Sequence, residues 1–296
     1  MLSFKKLLQT ALLLINSFFT SLVADAQKLV QPPIMQSNWS DPYDPFRIAG
    51  NLYYVGTYDL ACYLITTPQG NILINTGLAP SVPMMREHIE TLGFKMKDIK
   101  IMLATHAHYD HVAGFAEIKK LTGAKIMINE NDAPVLADGG QSDYVFGHKG
   151  PTFAAVKADV LLHEHDTIQF GGMKIVALHT PGHTKGATSF LFDVKDDNRT
   201  YKVLIANMPT ILDDTKLSGM PTYPDVAKQY AYTFDLMKKL QFDIFLASHA
   251  AQFKMHSKRK PGDAYKPEVF IDREGYDAAL DNLYQLYLKK LQGNNP

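Results

Sequence analysis

The run Thr105-His106-Ala107-His108-Tyr109-Asp110-His111 places three imidazoles and a carboxylate within six residues. It follows directly on the apolar segment Ile99-Lys100-Ile101-Met102-Leu103-Ala104, which reads as a buried strand. Packing does not account for so many metal-ligating groups at a strand end. In a tight turn after the strand, His106 and His108 point to one side while Asp110 and His111 turn toward a neighbouring position, which supplies ligands for two adjacent metals. Imidazole with carboxylate suits zinc, and also iron or manganese.

The same plan recurs downstream. His183 lies in Thr180-Pro181-Gly182-His183-Thr184 after a strand at 174–178, and His249 lies in Ser248-His249-Ala250 after a strand at 244–247. A catalytic metal keeps a position open for water, so three protein ligands per ion require six in all. His106, His108 and His183 supply one set; Asp110, His111 and His249 supply the other. Of the 11 histidines, His179 is assigned a supporting role, and His88, His148, His163, His165 and His256 are assigned to the surface.

Length and composition define the chain that carries this cluster. At 296 residues and 46% hydrophobic, it buries roughly three quarters of its unfolded surface and needs no staple to fold. Residues 1–26 read as a cleaved secretory signal, with Lys5 and Lys6, an apolar stretch at 7–23 and Ala24-Asp25-Ala26. The remaining 27–296, with 28 basic and 29 acidic residues, form one domain that offers no basic face for nucleic acid. Cys62 is the only cysteine, which excludes an internal disulfide; its place in Ala61-Cys62-Tyr63-Leu64-Ile65 marks it as a packing residue.

Strands are expected at 48–54, 61–66 and 71–74, then a helix capped by Ser81 with Val82, Met85, Ile89 and Leu92 on its apolar face. After the histidine cluster come a helix at 115–121, a strand at 125–129 and a loop holding Gly139, Gly140, Gly147 and Gly150. Hairpins follow at 167–178 and 189–205, then a helix from Asp225, the strand before His249, and a last helix with Tyr276, Leu280, Leu283 and Leu291. Two successive units of strands and helices indicate an α/β protein with two sheets face to face and helices outside, a four-layer αββα arrangement.

The histidine cluster, Pro181-Gly182-His183-Thr184 and Ser248-His249 together resemble the metallo-β-lactamase superfamily, in order and spacing, over most of 27–296. The resemblance implies the αββα sandwich and a dinuclear metal site between the tops of the sheets. Hydrolases of the superfamily that act on thioesters, lactones or phosphodiesters carry an aspartate bridging both metals. Here the corresponding strand end reads Leu204-Ile205-Ala206-Asn207-Met208-Pro209, with Met208 near the site and no bridging carboxylate. That absence, the lack of a cysteine ligand and His111 as a second-metal ligand resemble the subclass B3 β-lactamases. Residues 43–60 and 205–209 look most like the GOB-type enzymes, which differ in having Gln where this chain has His106. Asn75 stands where many members place a supporting Asp.

The implied activity is class B, subclass B3 β-lactamase: a hydroxide held by two Zn2+ per chain attacks the β-lactam amide carbonyl, with Asp110 orienting it. The substrate is a small-molecule β-lactam, carbapenems included, and the role is antibiotic resistance. By resemblance, the hydroxyl of Thr210 meets the substrate carboxylate, and Trp39, Tyr144 and Phe146 form pocket walls. The protein is expected to be a periplasmic or secreted monomer with no nucleic-acid partner and no membrane attachment after signal cleavage. A lactonase of the same fold, or a metal-binding protein without catalysis, remains open.

Overall fold

The computed structural model describes residues 28–197 and 199–293; the expected signal segment lies outside the described residues. Twelve strands form two sheets. The first has seven strands in chain order: β1 Phe46–Ala49, β2 Leu52–Tyr54, β3 Tyr63–Thr67, β4 Gly70–Ile74, β5 Ile99–Leu103, β6 Lys125–Asn129 and β7 Val160–Leu162. Strands β1 to β4 are an antiparallel meander, whereas β4 through β7 run parallel. The second sheet is ordered β12-β11-β10-β9-β8, from β8 Thr167–Phe170, β9 Met173–His179, β10 Thr188–Asp196, β11 Arg199–Ala206 and β12 Ile244–Ala247. Only its β11–β12 pair is parallel.

Side-chain alternation distributes each central strand between two cores. From β3 to β5, Tyr63, Ile65, Ile72, Ile74, Ile101 and Leu103 join Phe190, Val203 and Ile205 in one cluster, which fills the space between the sheets. Their neighbours Leu64, Leu73, Ile99 and Met102 belong to the other cluster. There they meet Met85 and Ile89 of α1 Val82–Thr91, and Phe115 and Ile118 of α3 Phe115–Thr122, which follows the short α2 Tyr109–Val112. The second sheet is backed by Tyr230 and Phe234 of α5 Val226–Met237 and by Tyr276 and Leu280 of α6 Arg273–Leu291. Burial on both faces explains why β4, β5 and β12 read as nearly unbroken apolar runs. The architecture is the expected four-layer αββα sandwich.

Local departures from the sequence reading have specific causes. The single strand expected at 48–54 is broken into β1 and β2 at Gly50-Asn51, where Gly50 has φ +48°. A Cβ there would stand 2.3 Å from the Lys195 carbonyl oxygen of β10, so this turn lets the edge of the first sheet press on the second. The glycine-rich stretch is preceded by a helix, α4 Ala133–Asp138, with Pro134 in its first turn. Ser81 makes no side-chain cap to α1. His88 is buried, with Nδ1 3.1 Å from the Val55 carbonyl oxygen, so α1 docks through a histidine that the sequence placed on the surface. No helix among the described residues is long and apolar enough to cross a membrane.

The Gly50 turn makes the first prediction. Gly50→Ala forces an L-residue into the left-handed region and into the Lys195 carbonyl, and should destabilise by at least about 1 kcal/mol. Urea denaturation should show a lower midpoint at unchanged slope; an unaltered midpoint would refute the role given to this turn.

Candidate metal centre

All the singled-out histidines occupy ends of strands that face the same side of the sandwich. β5 ends at Leu103, and the chain turns at Thr105, whose carbonyl accepts from Thr188 N of β10 at 2.7 Å. His108 has extended backbone and starts α2, whose single turn carries Asp110 and His111. From the other sheet, His183 stands on the turn after β9 and His249 follows β12. Ring centroids lie 4.7 Å apart for His106–His108, 4.6 Å for His106–His183, 4.8 Å for His108–His183, 4.1 Å for His106–His111 and 5.0 Å for His111–His249. Asp110 Oδ2 is 3.1 Å from His111 Nε2 and 3.4 Å from His249 Nε2.

Two triads bring their ligand atoms within 4.8 Å of one another: His106 with His108 and His183, and His106 with Asp110 and His111. His106 thus lies at the junction of the two sets. Its Nε2 and that of His111 are buried without a hydrogen-bond partner, which in a closed interior is costly unless something else completes them. A nitrogen and oxygen donor set with no thiolate fits zinc, with iron and manganese also compatible. Cys62 stays apart from this set, buried, with its thiol pushed up by desolvation.

The outer ring atoms are held from different elements. His106 Nδ1 donates to Asn207 Oδ1 at 2.7 Å, His183 Nδ1 to the Thr210 carbonyl at 2.9 Å, and His249 Nδ1 to Asp59 Oδ2 at 3.0 Å. His108 is turned the other way, with Nε2 3.2 Å from Asp143 Oδ2, which leaves Nδ1 for the cavity. Each contact fixes the tautomer and aims the free nitrogen inward. His111 differs, because its Nδ1 faces the Asn75 amide nitrogen at 3.3 Å while Asn75 Oδ1 accepts from Thr105 N at 2.9 Å.

A further carboxylate ties the two halves together. Asp132, fully buried, accepts from Ala107 N at 2.9 Å, Thr184 Oγ1 at 2.7 Å and Gly186 N at 2.7 Å. It therefore fastens the loop of His106 and His108 to the turn of His183. Gly186 is needed for this approach, since a Cβ there would fall 2.6 Å from Asp132 N.

The comparisons with known proteins come down on one family. Residues 57–196 match the metallo-beta-lactamase superfamily. A beta-lactamase from Chitinophaga pinensis is 61% identical, with a TM-score of 0.88 over 89% of this chain and 100% of that one. The chain belongs to the metallo-β-lactamase superfamily. The class B3 di-zinc metallo-beta-lactamase LRA-12 from an Alaskan soil metagenome is 60% identical (TM-score 0.87, 89% and 100% covered). GOB-18 from Elizabethkingia meningoseptica is 51% identical (TM-score 0.89, 90% and 99% covered), in keeping with the GOB-type resemblance. Among curated relatives, a hydroxyacylglutathione hydrolase of Rhodopseudomonas palustris is 29% identical over 131 residues, and the match spans only 42% of its length.

Within this metallo-β-lactamase fold the centre opens into a cavity of about 320 Å³. Trp39, Phe146, Met208 and Thr210 line it, as do Asn207 and Gln252, and among the described residues no Lys or Arg does. Trp39 packs 5.7 Å from the His249 ring and Phe146 5.0 Å from that of His108. Tyr144, expected as a pocket wall, lies behind the centre instead: its hydroxyl is bonded to the carbonyls of Gly182 and His183 and to Thr215 Oγ1, so it buttresses the His183 turn. Thr210 is at the cavity but is also engaged with His183, its Oγ1 3.0 Å from Nδ1. His179 is half-buried and bonded to the Lys185 carbonyl, outside the cluster. Asp132 and Asp143 carry no sequence signal, and the one hint that Asp59 offers is its place immediately before the apolar stretch of residues 60–65.

Without metal, burial depresses His106 and His111, and takes His183 down to about 3. Burial would also depress His249, but hydrogen bonds to Asp110 and Asp59 outweigh it and raise that imidazole to about 9. The metal-free protein therefore carries a proton on His249 at pH 7. A group whose folded pKa exceeds its unfolded value stabilises fully below about 6.5 and loses that contribution as pH climbs through 9. A metal ion taken up through His249 Nε2 would have to displace this proton. Calorimetry of zinc binding at pH 7 in buffers of different ionisation enthalpy should report its release, and Asp59→Asn should diminish it; an equal release in that variant would contradict the arrangement.

Proposed function

We propose that this chain is a zinc-dependent β-lactam hydrolase of subclass B3. The observation that carries the reading is the gathering of His106, His108, His183, Asp110, His111 and His249 at one site, with one ring nitrogen of four of the five imidazoles engaged from behind and the other turned inward. Full-length similarity to solved β-lactamases supports it. The hydroxyacylglutathione hydrolases share less than half their length with the chain, and its cavity holds no carboxylates besides Asp110 and Asp59, the latter already engaged by His249.

His106, His108 and His183 would hold one zinc ion, and Asp110, His111 and His249 the other. Bound there, the ions supply Lewis acidity toward the lactam carbonyl and water activated at neutral pH. The protein's own groups do the rest. Burial opposes ionisation of Asp110, but the His111 and His249 imidazoles hold its carboxyl well below the usual range, so it stays an acceptor able to orient the attacking water. Trp39, Phe146 and Met208 give apolar walls that limit water around the ring. The nitrogen released on ring opening takes its proton from solvent at the cavity mouth. The domain 27–296 would act as a monomer, with carbapenems among its substrates, after export on residues 1–26. Resistance to β-lactams would follow from that location.

The test is hydrolysis of nitrocefin, a penicillin and a carbapenem by zinc-loaded protein, with chelator and zinc re-addition. Two zinc ions per chain and chelator-sensitive turnover are expected. His108→Ala and Asp110→Ala should each cost at least about 10²-fold in kcat/KM and lower the bound zinc. Turnover of a lactone or thioester without any β-lactam activity would overturn the assignment, as would full activity in both variants.

A further inference from the structure

Asn207 has a half that the metal centre does not use. Its Oδ1 accepts from His106 Nδ1 at 2.7 Å and its backbone N–H donates to Ser189 Oγ at 2.9 Å. The amide nitrogen Nδ2 is buried and has no hydrogen-bond partner among the described residues, although the residue lines the cavity. The amide is not reversed: with Nδ2 against His106 Nδ1, the imidazole proton would move to Nε2, amid the ligand atoms, and a carbonyl would be orphaned instead. A buried donor left unmet costs more than an exposed one and binds an anion more strongly when it is met.

The cavity's other features say which anion. It has no Lys or Arg, so a carboxylated substrate finds no side-chain cation. Thr210, three residues further along the same loop, has its carbonyl shared by His183 Nδ1 and the Tyr230 hydroxyl, and its own hydroxyl sits 3.0 Å from the same His183 nitrogen. Gln252 spends its carbonyl oxygen on His249 N, on the opposite, β12 side. Two buried donors among the residues lining the cavity are unengaged, Trp39 Nε1 and Asn207 Nδ2, and of the two only Asn207 stands on the loop after β11 that also carries Met208 and Thr210.

We propose that Asn207 Nδ2 donates to the carboxylate of the bound substrate, so that one amide sets the His106 tautomer with its oxygen and selects anionic substrates with its nitrogen. This rests on the β-lactam hydrolase reading. The two halves separate by substitution, because Asn207→Asp keeps an acceptor for His106 while removing the donor, and Asn207→Ala removes the donor without adding the negative charge that by itself repels an anionic substrate. The experiment compares benzylpenicillin with its methyl ester, which lacks the anion, for wild type and Asn207→Asp, together with zinc content. For the free acid, KM in the variant should rise about 10- to 100-fold, the range of a lost hydrogen bond to a charged group, with kcat changed far less. KM for the ester and the number of bound zinc ions should not change. An unchanged KM for the acid would overturn the proposal, as would equal losses on acid and ester, which would mean that Asn207 acts only through His106. Asn207→Ala goes through the same acid-against-ester comparison: a loss selective for the acid is expected in it too, and a selective loss in Asn207→Asp alone would be charge repulsion and would overturn the proposal. Wild-type protein that hydrolyses neither compound sinks the hydrolase reading itself and Asn207's role with it, an outcome distinct from an active wild type with an indifferent variant.

Discussion

Five imidazoles packed at centroid separations of 4.1 to 5.0 Å are tolerable only if most of them are neutral and a proton on any one is matched by a carboxylate, as Asp59 and Asp110 match that of His249. Protonated neighbours at that spacing would repel one another in a low dielectric. Burial enforces neutrality at His106, His111 and His183, while hydrogen bonds behind the rings choose which nitrogen is bare. The rest of the architecture serves this requirement. The acceptors come from the segment before β3, the loop after α4 and the loop after β11, so the rings keep their tautomers only while both sheets hold register. Tyr63 Oη to the Ala247 carbonyl at 2.6 Å and Ser248 Oγ to Thr105 Oγ1 at 3.0 Å fasten the sheets beside the centre, and Asp132 fastens the loops above it.

The cavity's charge follows from the same economy of groups. Its walls contribute Asp59 and Asp110 and no cation, apart from the proton on His249. Positive potential for an anionic substrate would therefore have to come from metal ions held at the cluster and from oriented dipoles such as the Asn207 amide. This explains why an overall neutral chain needs no basic patch around its site.

What could be read in the sequence was whatever is local along the chain. The run from Ile99 to His111 contains both a strand and its ligands, and the turns holding His183 and His249 repeat that grammar, so fold and ligand candidates follow from short segments. Partners across space leave no such trace. Asp59 meets His249 from 190 residues away, Asn207 meets His106 from 101, and Asp132 meets Thr184 from 52. Nothing in the neighbourhood of Asp132 or Asp143 distinguishes a structural carboxylate from a solvated one. Tyr144 and His88 were misjudged for a related reason: an aromatic in a glycine-rich loop and a histidine on an amphipathic helix have no sequence signal for which way they face. The break between β1 and β2 depended on a close approach to β10, which is a property of the folded layers and not of residues 48–54.

Trp39 lies against His249, and Asp59 holds that same ring. The earliest and the latest parts of the sandwich thus meet at one ligand. No fragment that ends before His249 contains a complete second set, because its members extend from Asp110 to His249 and its support begins at Asp59. Formation of that set closes one of the longer loops in the chain, a step that comes late in folding when distant segments must first be brought together. Metal capture at this position would then report completion of the fold, and a chain truncated before β12 would retain a His106, His108 and His183 triad while having lost the means to finish the pair.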